Sequence, residues 1–337
     1  MPTIKDIARQ LGLSSATVSR ALHDADSPFV SAETRRRVRE AAERLGYLPN
    51  PTGRALVTGR TNLVSLWIND PYTPYYALIG HHLQVESERR GYQPVVRGVS
   101  TQSQGAIDWQ APDGLAEGIL VVDVNDPLER FLRARPAFRR PLVAMGSLCT
   151  TKVDHVRIDL YRGSVEAVEH LVATRSGRIV ALMYAERDPR TEAYRDVMGR
   201  AGREPDVVPI PDEARATNRR RVRDYIEARG CPGALFCQND DVALAAYRAA
   251  LDCGLRVPDD VALVGCDGIE DTEYLEVPLS TVVHPVGEMV ALAWRFLERR
   301  MADPSALPQS AVLPSRLLVR ASSSCSGDTG GGDAAAV

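Results

Sequence analysis

The stretch Thr3–Leu22, TIKDIARQLGLSSATVSRAL, has the pattern of two short helices joined by a tight turn. Apolar side chains recur at helical spacing in its first half, and Thr3 stands three residues before Asp6, which fits a capping box. Gly12 can adopt the left-handed backbone that ends a helix, and Ser14 is a good N-cap for the next one. We therefore predict one helix on each side of this turn.

The second of these helices has two unlike faces. Its apolar stripe consists of Val18, Ala21 and Leu22. The opposite face carries small or hydrogen-bonding side chains, namely Ser15, Ala16, Ser19 and Arg20. A helix that enters a DNA major groove needs this asymmetry, because a bulky apolar outer face would not fit against base edges. An ordinary helical pair with a solvated face is the alternative that this stretch alone leaves open.

A third helix is predicted from Ser31 to Leu45, with the run Arg35–Arg37 facing outward. Its core side is formed by Val38, Ala41, Ala42 and Leu45. Residues 1–60 contain ten Lys or Arg and six Asp or Glu, a net charge of +4, whereas the whole chain carries −3 and the remainder therefore −7. A basic head on an acidic body is typical of a nucleic-acid-binding module attached to another domain.

Composition narrows the class of protein. The 337 residues are too many for one ordinary domain. No apolar run follows the start and no apolar stretch approaches about 20 residues, so we expect no secretion signal, no membrane span and a cytoplasmic protein. The six cysteines form no CxxC pair, which favours buried free thiols over a metal or redox site. They are Cys149, Cys231, Cys237, Cys253, Cys266 and Cys325.

From residue 62 onward, short apolar runs alternate with amphipathic helical stretches. The runs cover residues 63–68, 94–96, 118–122, 142–144, 156–158, 179–183, 207–210, 234–237, 261–265 and 281–283. The helical stretches cover 75–90, 163–174, 191–201, 217–229, 241–253 and 286–301. This alternation predicts parallel sheets with helices on both faces, and ten or more strands fit two sheets better than one.

Three stretches carry a specific resemblance: TIKDIARQLGLSSATVSRAL, VSAETRRRVREAAERLGYLPN and PTGRALVTGRT. Together they resemble the head of the LacI/GalR family of bacterial transcription regulators, densely over residues 3–60 and more loosely to about residue 322. The resemblance implies an α/β fold: an N-terminal helix-turn-helix, three-helix head followed by a two-lobed, periplasmic-binding-protein-like core of two doubly wound parallel sheets. It also implies a homodimer on a pseudo-palindromic double-stranded DNA operator, controlled by a small-molecule effector, expected to be a carbohydrate, in the interlobe cleft.

On this pattern the head takes residues 1–48, a hinge helix or linker takes 49–60 and the core takes 61–322. The first lobe is expected to comprise about 61–157 and 285–311, and the second about 158–284 and 312–322. Residues 323–337 are small and Gly-rich, which predicts a disordered tail. The tail has no leucine heptad, so we expect a dimer without a tetramer-forming tail.

The resemblance assigns the DNA contacts residue by residue. They are Thr3, Ser15, Ala16, Thr17, Ser19, Arg20, Ser31, Thr34, Tyr47, Asn50 and Leu56. Arg20 is the candidate for a bidentate contact to guanine, while Ser31 and Thr34 would offer hydroxyls to phosphate. Leu56 would wedge apart the central base step in the minor groove. Two alternatives remain: Ser31 as a simple N-cap, and Leu56 as a plain linker residue.

The effector contacts are expected at the carboxyl ends of strands, where doubly wound sheets bind ligands. They are Tyr75, Tyr76, Asp159, Arg190, Asn239, Asp240 and Asp267. Carboxylates, an amide and a guanidinium suit hydroxyl groups, and aromatic rings pack on a sugar face. For Asp240, a role as a helix N-cap is an equally supported alternative. No cofactor or metal is predicted.

Four features depart from the family pattern. Gly53 replaces a usual alanine and should make the hinge harder to order. The segment after Val99 is short and poor in helix formers, Ala193 replaces a usual glycine, and Pro209–Ala216 lacks an aromatic residue. These departures leave the ligand class open.

The sequence disfavours two other classes of protein. An enzyme is disfavoured because the sequence has no GxGxxG, Walker or GxSxG motif and no histidine cluster. An exported sugar-binding protein is disfavoured by the basic head and by the absence of a signal sequence. We therefore predict a DNA-binding transcription regulator that acts as a repressor and is not an enzyme.

Overall fold

The computed structural model describes residues 2–23, 27–48, 55, 59–69, 71–99, 107, 111–211 and 214–324. The chain divides into two compact units, Met1–Thr61 and Asn62–Val337. The sequence assignments for Asn50, Gly53 and Leu56 lie outside the described residues, as does Cys325.

Residues 2–48 of the first unit, apart from the undescribed 24–26, form the helices α1 (Ile4–Leu11), α2 (Ser15–His23) and α3 (Ala32–Leu45). The predicted caps are present. The Asp6 carboxylate accepts hydrogen bonds from the Thr3 backbone N–H at 2.9 Å and the Thr3 hydroxyl at 2.7 Å. Gly12 ends α1 with a φ of 65°, and the Ser14 hydroxyl accepts the Thr17 N–H at 3.0 Å. The small core consists of Ile7, Ala8, Val18, Ala21, Val30, Val38, Ala41 and Ala42.

Two residues of α3 depart from the prediction. Leu45 is 37% exposed, so it is not a core residue. Arg35 does not simply face solvent, because its Nη2 donates to the carbonyl oxygens of Ser27 and Val30 at 3.3 Å each. Arg35 therefore ties α3 to the turn that precedes it.

The described part of the second unit contains two six-stranded sheets. The first sheet has the order β2-β1-β3-β4-β5-β11, and every neighbouring pair is parallel. Its strands are β1 (Leu63–Ile68), β2 (Gln93–Gly98), β3 (Gly118–Val122), β4 (Leu142–Gly146), β5 (Asp154–Asp159) and β11 (Ser310–Pro314). The helices of this lobe are α4 (Pro74–Arg89), α5 (Ala111–Leu115), α6 (Asn125–Ala134) and α11 (Val286–Ala302).

The second sheet has the order β7-β6-β8-β9-β10-β12, in which only the last pair is antiparallel. Its strands are β6 (Ile179–Met183), β7 (Asp206–Pro209), β8 (Ala234–Cys237), β9 (Ala262–Asp267), β10 (Ser280–Val283) and β12 (Arg316–Leu318). The helices are α7 (Leu160–Thr174), α8 (Pro189–Arg200), α9 (Arg215–Arg229), α10 (Asp240–Asp252) and a short 3₁₀ turn, Glu270–Thr272. Central strands β3, β4, β6 and β8 are buried throughout, as parallel sheets covered on both faces require.

The predicted alternation and the two doubly wound sheets are confirmed. The pattern missed α6 and the two late strands, and the segment after Val99 holds the five-residue helix α5 in its described part. The predicted junction between residues 311 and 312 falls inside β11, which pairs with β5, so the chain changes lobe after Pro314 instead. The predicted tail also begins too early, because Ser323 is fully buried and its hydroxyl lies 2.9 Å from His170 Nε2.

Composition gave two expectations, one about membrane spans and one about the cysteines. Among the described residues, no helix combines the length and apolarity that a membrane span requires. The five described cysteines are free thiols, but only Cys237 and Cys266 are buried, and Cys231 is exposed. The prediction of buried thiols therefore holds for two of the five.

Candidate DNA interface and ligand cleft

The outer face of α2 is accessible in the chain. Ser15, Ala16 and Arg20 are exposed, while Thr17 and Ser19 are partly exposed. The Thr17 hydroxyl lies 2.9 Å from the Ser14 hydroxyl, so the start of the helix is held rigidly. Rigid presentation of small side chains around one guanidinium suits insertion into a major groove.

The start of α3 forms a second polar edge. The Ser31 hydroxyl accepts the Thr34 N–H at 3.2 Å and donates to the Thr34 hydroxyl at 2.9 Å. Ser31 is thus an N-cap, as the alternative proposed, and its exposure leaves a phosphate contact available. Tyr47 packs against the head core, so only part of its ring is accessible.

Two tyrosines at the start of α4 lie at the carboxyl end of β1. The Tyr75 and Tyr76 ring centroids are 5.3 Å apart, and Tyr75 Oη lies 3.1 Å from His284 Nδ1. Tyr75 is 8% exposed, whereas Tyr76 is more open. Burial and the Asp123 charge raise the pKa of both hydroxyls, which therefore stay protonated and can donate hydrogen bonds. His284 belongs to the connection that follows β10, so this contact joins the two lobes.

Arg190 is buried at the start of α8, where Asp188 caps the helix. Its Nε and Nη2 donate to the two Asp188 carboxylate oxygens at 2.9 Å each, and its Nη1 donates to the Gln238 carbonyl at 2.7 Å. Burial raises the pKa of Asp188, but the hydrogen bonds and charge of Arg190 outweigh it and keep the pKa below its ordinary value. The pair is therefore ionised, and the guanidinium is oriented before any ligand arrives.

Asp267 ends β9 and faces the same region. Its φ of 127° is unusual for a residue with a side chain and indicates backbone strain of the kind often found at functional sites. Burial and the neighbouring Asp240 raise the pKa of Asp267 well above its ordinary value, and Arg190 lowers it. A group that donates to this carboxylate would relieve the cost of its burial.

Asp123, at the carboxyl end of β3, was missed by the sequence reasoning. It is 9% exposed, accepts the Leu148 N–H at 2.8 Å and has its pKa raised by burial. Arg190 lowers the pKa of Asp123 although the two residues belong to different lobes. Asp123 of the first lobe and Asp267 of the second therefore both lie close enough to Arg190 for its charge to lower their pKa values.

Gly146 makes room for the Asp123 carboxylate. Its φ is 119°, and a Cβ built there would collide with that carboxylate. We expect Gly146→Ala to destabilise the protein by about 1–3 kcal/mol and to displace Asp123. Chemical denaturation measures the first effect. Gly199→Ala is the control, since a Cβ at Gly199 meets nothing within 4 Å, and it should be neutral or stabilising. Equal stability of the two variants would contradict this role of Gly146.

Three of the predicted effector residues have structural partners instead. Asp240 is fully buried and accepts the N–H groups of Gly268 and Ile269 at 2.8 and 2.9 Å and the Thr281 hydroxyl at 2.7 Å. Its burial raises its pKa to about 6. Asp240 Oδ2 therefore holds the turn after β9, and Oδ1 binds Thr281 of β10. Both oxygens have structural partners, and an effector contact by Asp240 stays a prediction.

Asp159 and Asn239 cap helices. Asp159 accepts the Arg162 N–H at 3.3 Å at the start of α7, and Asn239 accepts the Val242 N–H at 2.9 Å at the start of α10. The Asn239 amide also donates to the Tyr184 hydroxyl at 3.0 Å, which places an aromatic ring beside it. Tyr184 is thus an aromatic residue near the cleft edge that the sequence reasoning did not find. The cap roles explain both residues, and a ligand contact by either remains a prediction.

The missed residues share one signal. Each lies within a few residues of the carboxyl end of a strand, so its position in the sequence would have identified it as a candidate. They are Asp123, Tyr184, Asp188, Gln238 and His284, together with Asn69 and Ser147, which hydrogen-bond to Tyr76 and Tyr75 respectively.

One group of side chains in the described part of the chain has the atom types of a metal site. Cys266, Asp267 and His284 place their ligand atoms within 4.8 Å of one another. Burial and the positive charge of Arg190 lower the pKa of His284 to about 3, so the ring is neutral. Because the guanidinium already supplies a positive charge here, we interpret the group as a hydrogen-bonding cluster rather than a cation site.

Known proteins share both parts of this architecture. The profile for bacterial regulatory proteins of the lacI family matches residues 3–50, and that for a periplasmic binding protein-like domain matches residues 168–323. The transcriptional regulator CelR of Thermobifida fusca is 31% identical over 341 residues, covering 95% of this chain and 98% of its own. The transcriptional repressor CytR of Escherichia coli K12 is 27% identical over 329 residues, covering 95% and 96%.

Two solved structures share this fold along nearly the whole chain. The lac repressor dimer bound to operator and an anti-inducer superposes with a TM-score of 0.79 at 22% identity, over 96% of this chain and 99% of that one. A CelR–cellobiose complex superposes with a TM-score of 0.63 at 27% identity, over 96% and 100%. With a helix-turn-helix head, a two-lobed core and a 31% identical relative aligned along nearly its whole length, the chain belongs to the lacI family of bacterial regulatory proteins and is a DNA-binding transcription regulator.

Proposed function

We propose that the protein is a cytoplasmic, dimeric repressor whose operator binding is set by a neutral polyol, such as a sugar or nucleoside, held between its lobes. The observation that carries this proposal is the cleft, where oriented donors and acceptors from both lobes converge. The relatives support the ligand class, since CelR has been solved with cellobiose.

The cleft chemistry fits hydroxyl groups. Arg190 has one N–H group left over after its hydrogen bonds to Asp188, Gln238 and Cys266, and Asp267 has a carboxylate that gains from a donor. Tyr76, partly open, offers a ring face and a hydroxyl. A polyol can donate to Asp123 and Asp267 while it accepts from Arg190, and this would draw the two lobes together.

The coupling to DNA would run through the first lobe. The chain crosses between lobes three times, after Asp159, near His284 and after Pro314, so closure moves the lobes as bodies about these crossings. A ligand that binds the closed form better shifts the population toward it. In a dimer this would separate the two hinge segments and weaken operator binding.

The dimer is proposed to form on the α4–β2 side of the first lobe. Among the described residues, strand β2 lies at the edge of its sheet, and Val85 and Val96 are about half exposed there. A groove of mixed polarity continues the same face, lined by Leu66, Ile68, Pro71, Tyr76, Pro94 and Val96 together with the polar residues His81, Gln84 and Glu88. Exposed apolar edges of this kind are normally covered by a partner. The lac repressor, which shares the fold, has been solved as a dimer.

A two-step experiment tests the proposal. A thermal-shift screen of sugars and nucleosides would first identify ligands of the full-length protein, and fluorescence anisotropy would then measure binding to DNA from upstream of its own operon. We expect a stabilising ligand that also weakens specific DNA binding. A protein that binds scrambled and upstream DNA equally well would contradict the proposal.

The hinge gives a separate prediction. Leu56→Ala should weaken specific binding about tenfold or more while leaving non-specific binding nearly unchanged, because the wedge acts only where two hinges order together in the minor groove. Anisotropy on operator and scrambled duplexes measures both. Equal losses on the two duplexes would show that Leu56 is an ordinary linker residue.

A further inference from the structure

Phe29 is an exposed aromatic residue in a basic head. It is 78% exposed, although the next residue, Val30, packs into the head core. Phe29 precedes Val30 and the start of α3, so it lies in the connection between α2, the helix expected to enter the major groove, and α3. A single exposed apolar side chain is ordinary on a protein surface, so the role of Phe29 is judged from the side chain that its ring contacts.

The turn that carries Phe29 is anchored at both ends. Ser27 and Val30 are 5% and 6% exposed, and their carbonyl oxygens accept the two Arg35 hydrogen bonds described above. The Val30 N–H also donates to the Ser27 carbonyl at 3.4 Å. Because Ser27 and Val30 are fixed, the backbone position of Phe29 between them is set although its ring is not buried.

Arg20 lies over this ring. The guanidinium carbon is 5.6 Å from the Phe29 ring centroid, within the range of a cation–π contact. A guanidinium held on a ring face keeps its N–H groups directed outward in its own plane, since the ring uses no donor. Those N–H groups are the ones that a bidentate contact to guanine O6 and N7 requires.

We infer that Phe29 is a positioning residue for base recognition, whose ring holds the Arg20 guanidinium ready for a guanine edge in the major groove. Pre-orienting Arg20 reduces the side-chain entropy lost when the contact forms, and the gain appears only on the correct sequence. The inference rests on the proposed function, because it needs a protein that reads DNA.

The test uses full-length protein and a duplex obtained by selection from a random DNA pool. Phe29→Leu keeps an apolar side chain without an aromatic face, and Phe29→Tyr keeps the face. We expect Phe29→Leu to lose about two- to tenfold in affinity for the selected duplex and to relax the base preference at the pair read by Arg20. Phe29→Tyr should lose no more than twofold in affinity for the selected duplex. The affinity of both variants for scrambled duplex should be unchanged.

A double-mutant cycle separates positioning from a direct contact. If Phe29 acts through Arg20, then Phe29→Leu should cost nothing further in an Arg20→Ala background. A full additional loss in that background, an equal loss in Phe29→Tyr, or a loss of head helix content in Phe29→Leu would each overturn the inference. A wild-type protein that selects no duplex would instead overturn the proposed function, so the two failures can be told apart.

Discussion

Arg20→Ala is expected to abolish discrimination between operator and scrambled DNA while leaving dimerisation and ligand binding intact. Arg20 is exposed on the outer face of α2 and is the guanidinium among small neighbours there. A good bidentate contact to guanine contributes roughly 1–3 kcal/mol of discrimination per site, and a dimer makes two such contacts. The expected loss is therefore large on the operator and small on scrambled DNA.

The measurement is anisotropy with both duplexes at one fixed salt concentration, because affinity for DNA depends strongly on salt. Arg9→Ala is the control, since Arg9 is an exposed arginine on α1 that is paired with Asp6 at 3.4 Å. Arg9→Ala should change the affinity for the two duplexes by the same factor, if it changes either affinity. An Arg20→Ala protein that still prefers its operator would rule out the role given to Arg20.

Arg190→Met is expected to destabilise the protein by about 3–5 kcal/mol and to abolish ligand binding. The substitution leaves the Asp188 carboxylate, only 6% exposed, without its bidentate partner. Removing one member of a buried ion pair is costly because the remaining charge stays desolvated. Chemical denaturation gives the loss of stability, and the thermal-shift response gives ligand binding.

The control lies on the same helix. Arg200 pairs with Glu169 at 3.0 Å, but both side chains are more than half exposed, so Arg200→Met should cost no more than about 1 kcal/mol. Similar losses in the two variants would show that the Asp188–Arg190 pair is not the buried anchor described above.

The same pair predicts a dependence on pH. Because Arg190 holds the pKa of Asp188 below its ordinary value, the pair stabilises the fold at pH values above the pKa that the Asp188 carboxyl has in the unfolded chain. That stability should be lost as the pH falls from the ordinary carboxyl range through the lowered pKa of Asp188. In Arg190→Met this loss on acidification should be smaller.

Local signals in the sequence predicted the head well. The cap at Thr3, the turn at Gly12 and the N-caps at Ser14 and Ser31 each depend on neighbours three or four residues away, and all are present. The inward turn of Arg35 was not predictable in the same way, because its partners are backbone carbonyls set by the packing of the turn. A run of arginines does not reveal which member points inward.

The cleft shows where a single sequence stops being informative. Asp240 and Asp267 both follow apolar strands, yet one is fully buried and the other faces the cleft. The difference arises from the turn after β9, whose N–H groups bond to Asp240, and this turn exists only in the folded sheet. Asp123 was missed because its role depends on Gly146 at the end of β4, which is more than twenty residues away.

The central claim is that a ligand in the cleft controls the DNA-reading head. Operator affinity of the full-length dimer, measured by anisotropy with and without a saturating ligand from the thermal-shift screen, tests this claim most directly. We predict that the ligand changes the operator Kd at least tenfold in the wild-type protein and leaves it unchanged in Asp267→Asn. An operator Kd that stays the same in the wild-type protein when the cleft is saturated would contradict the account.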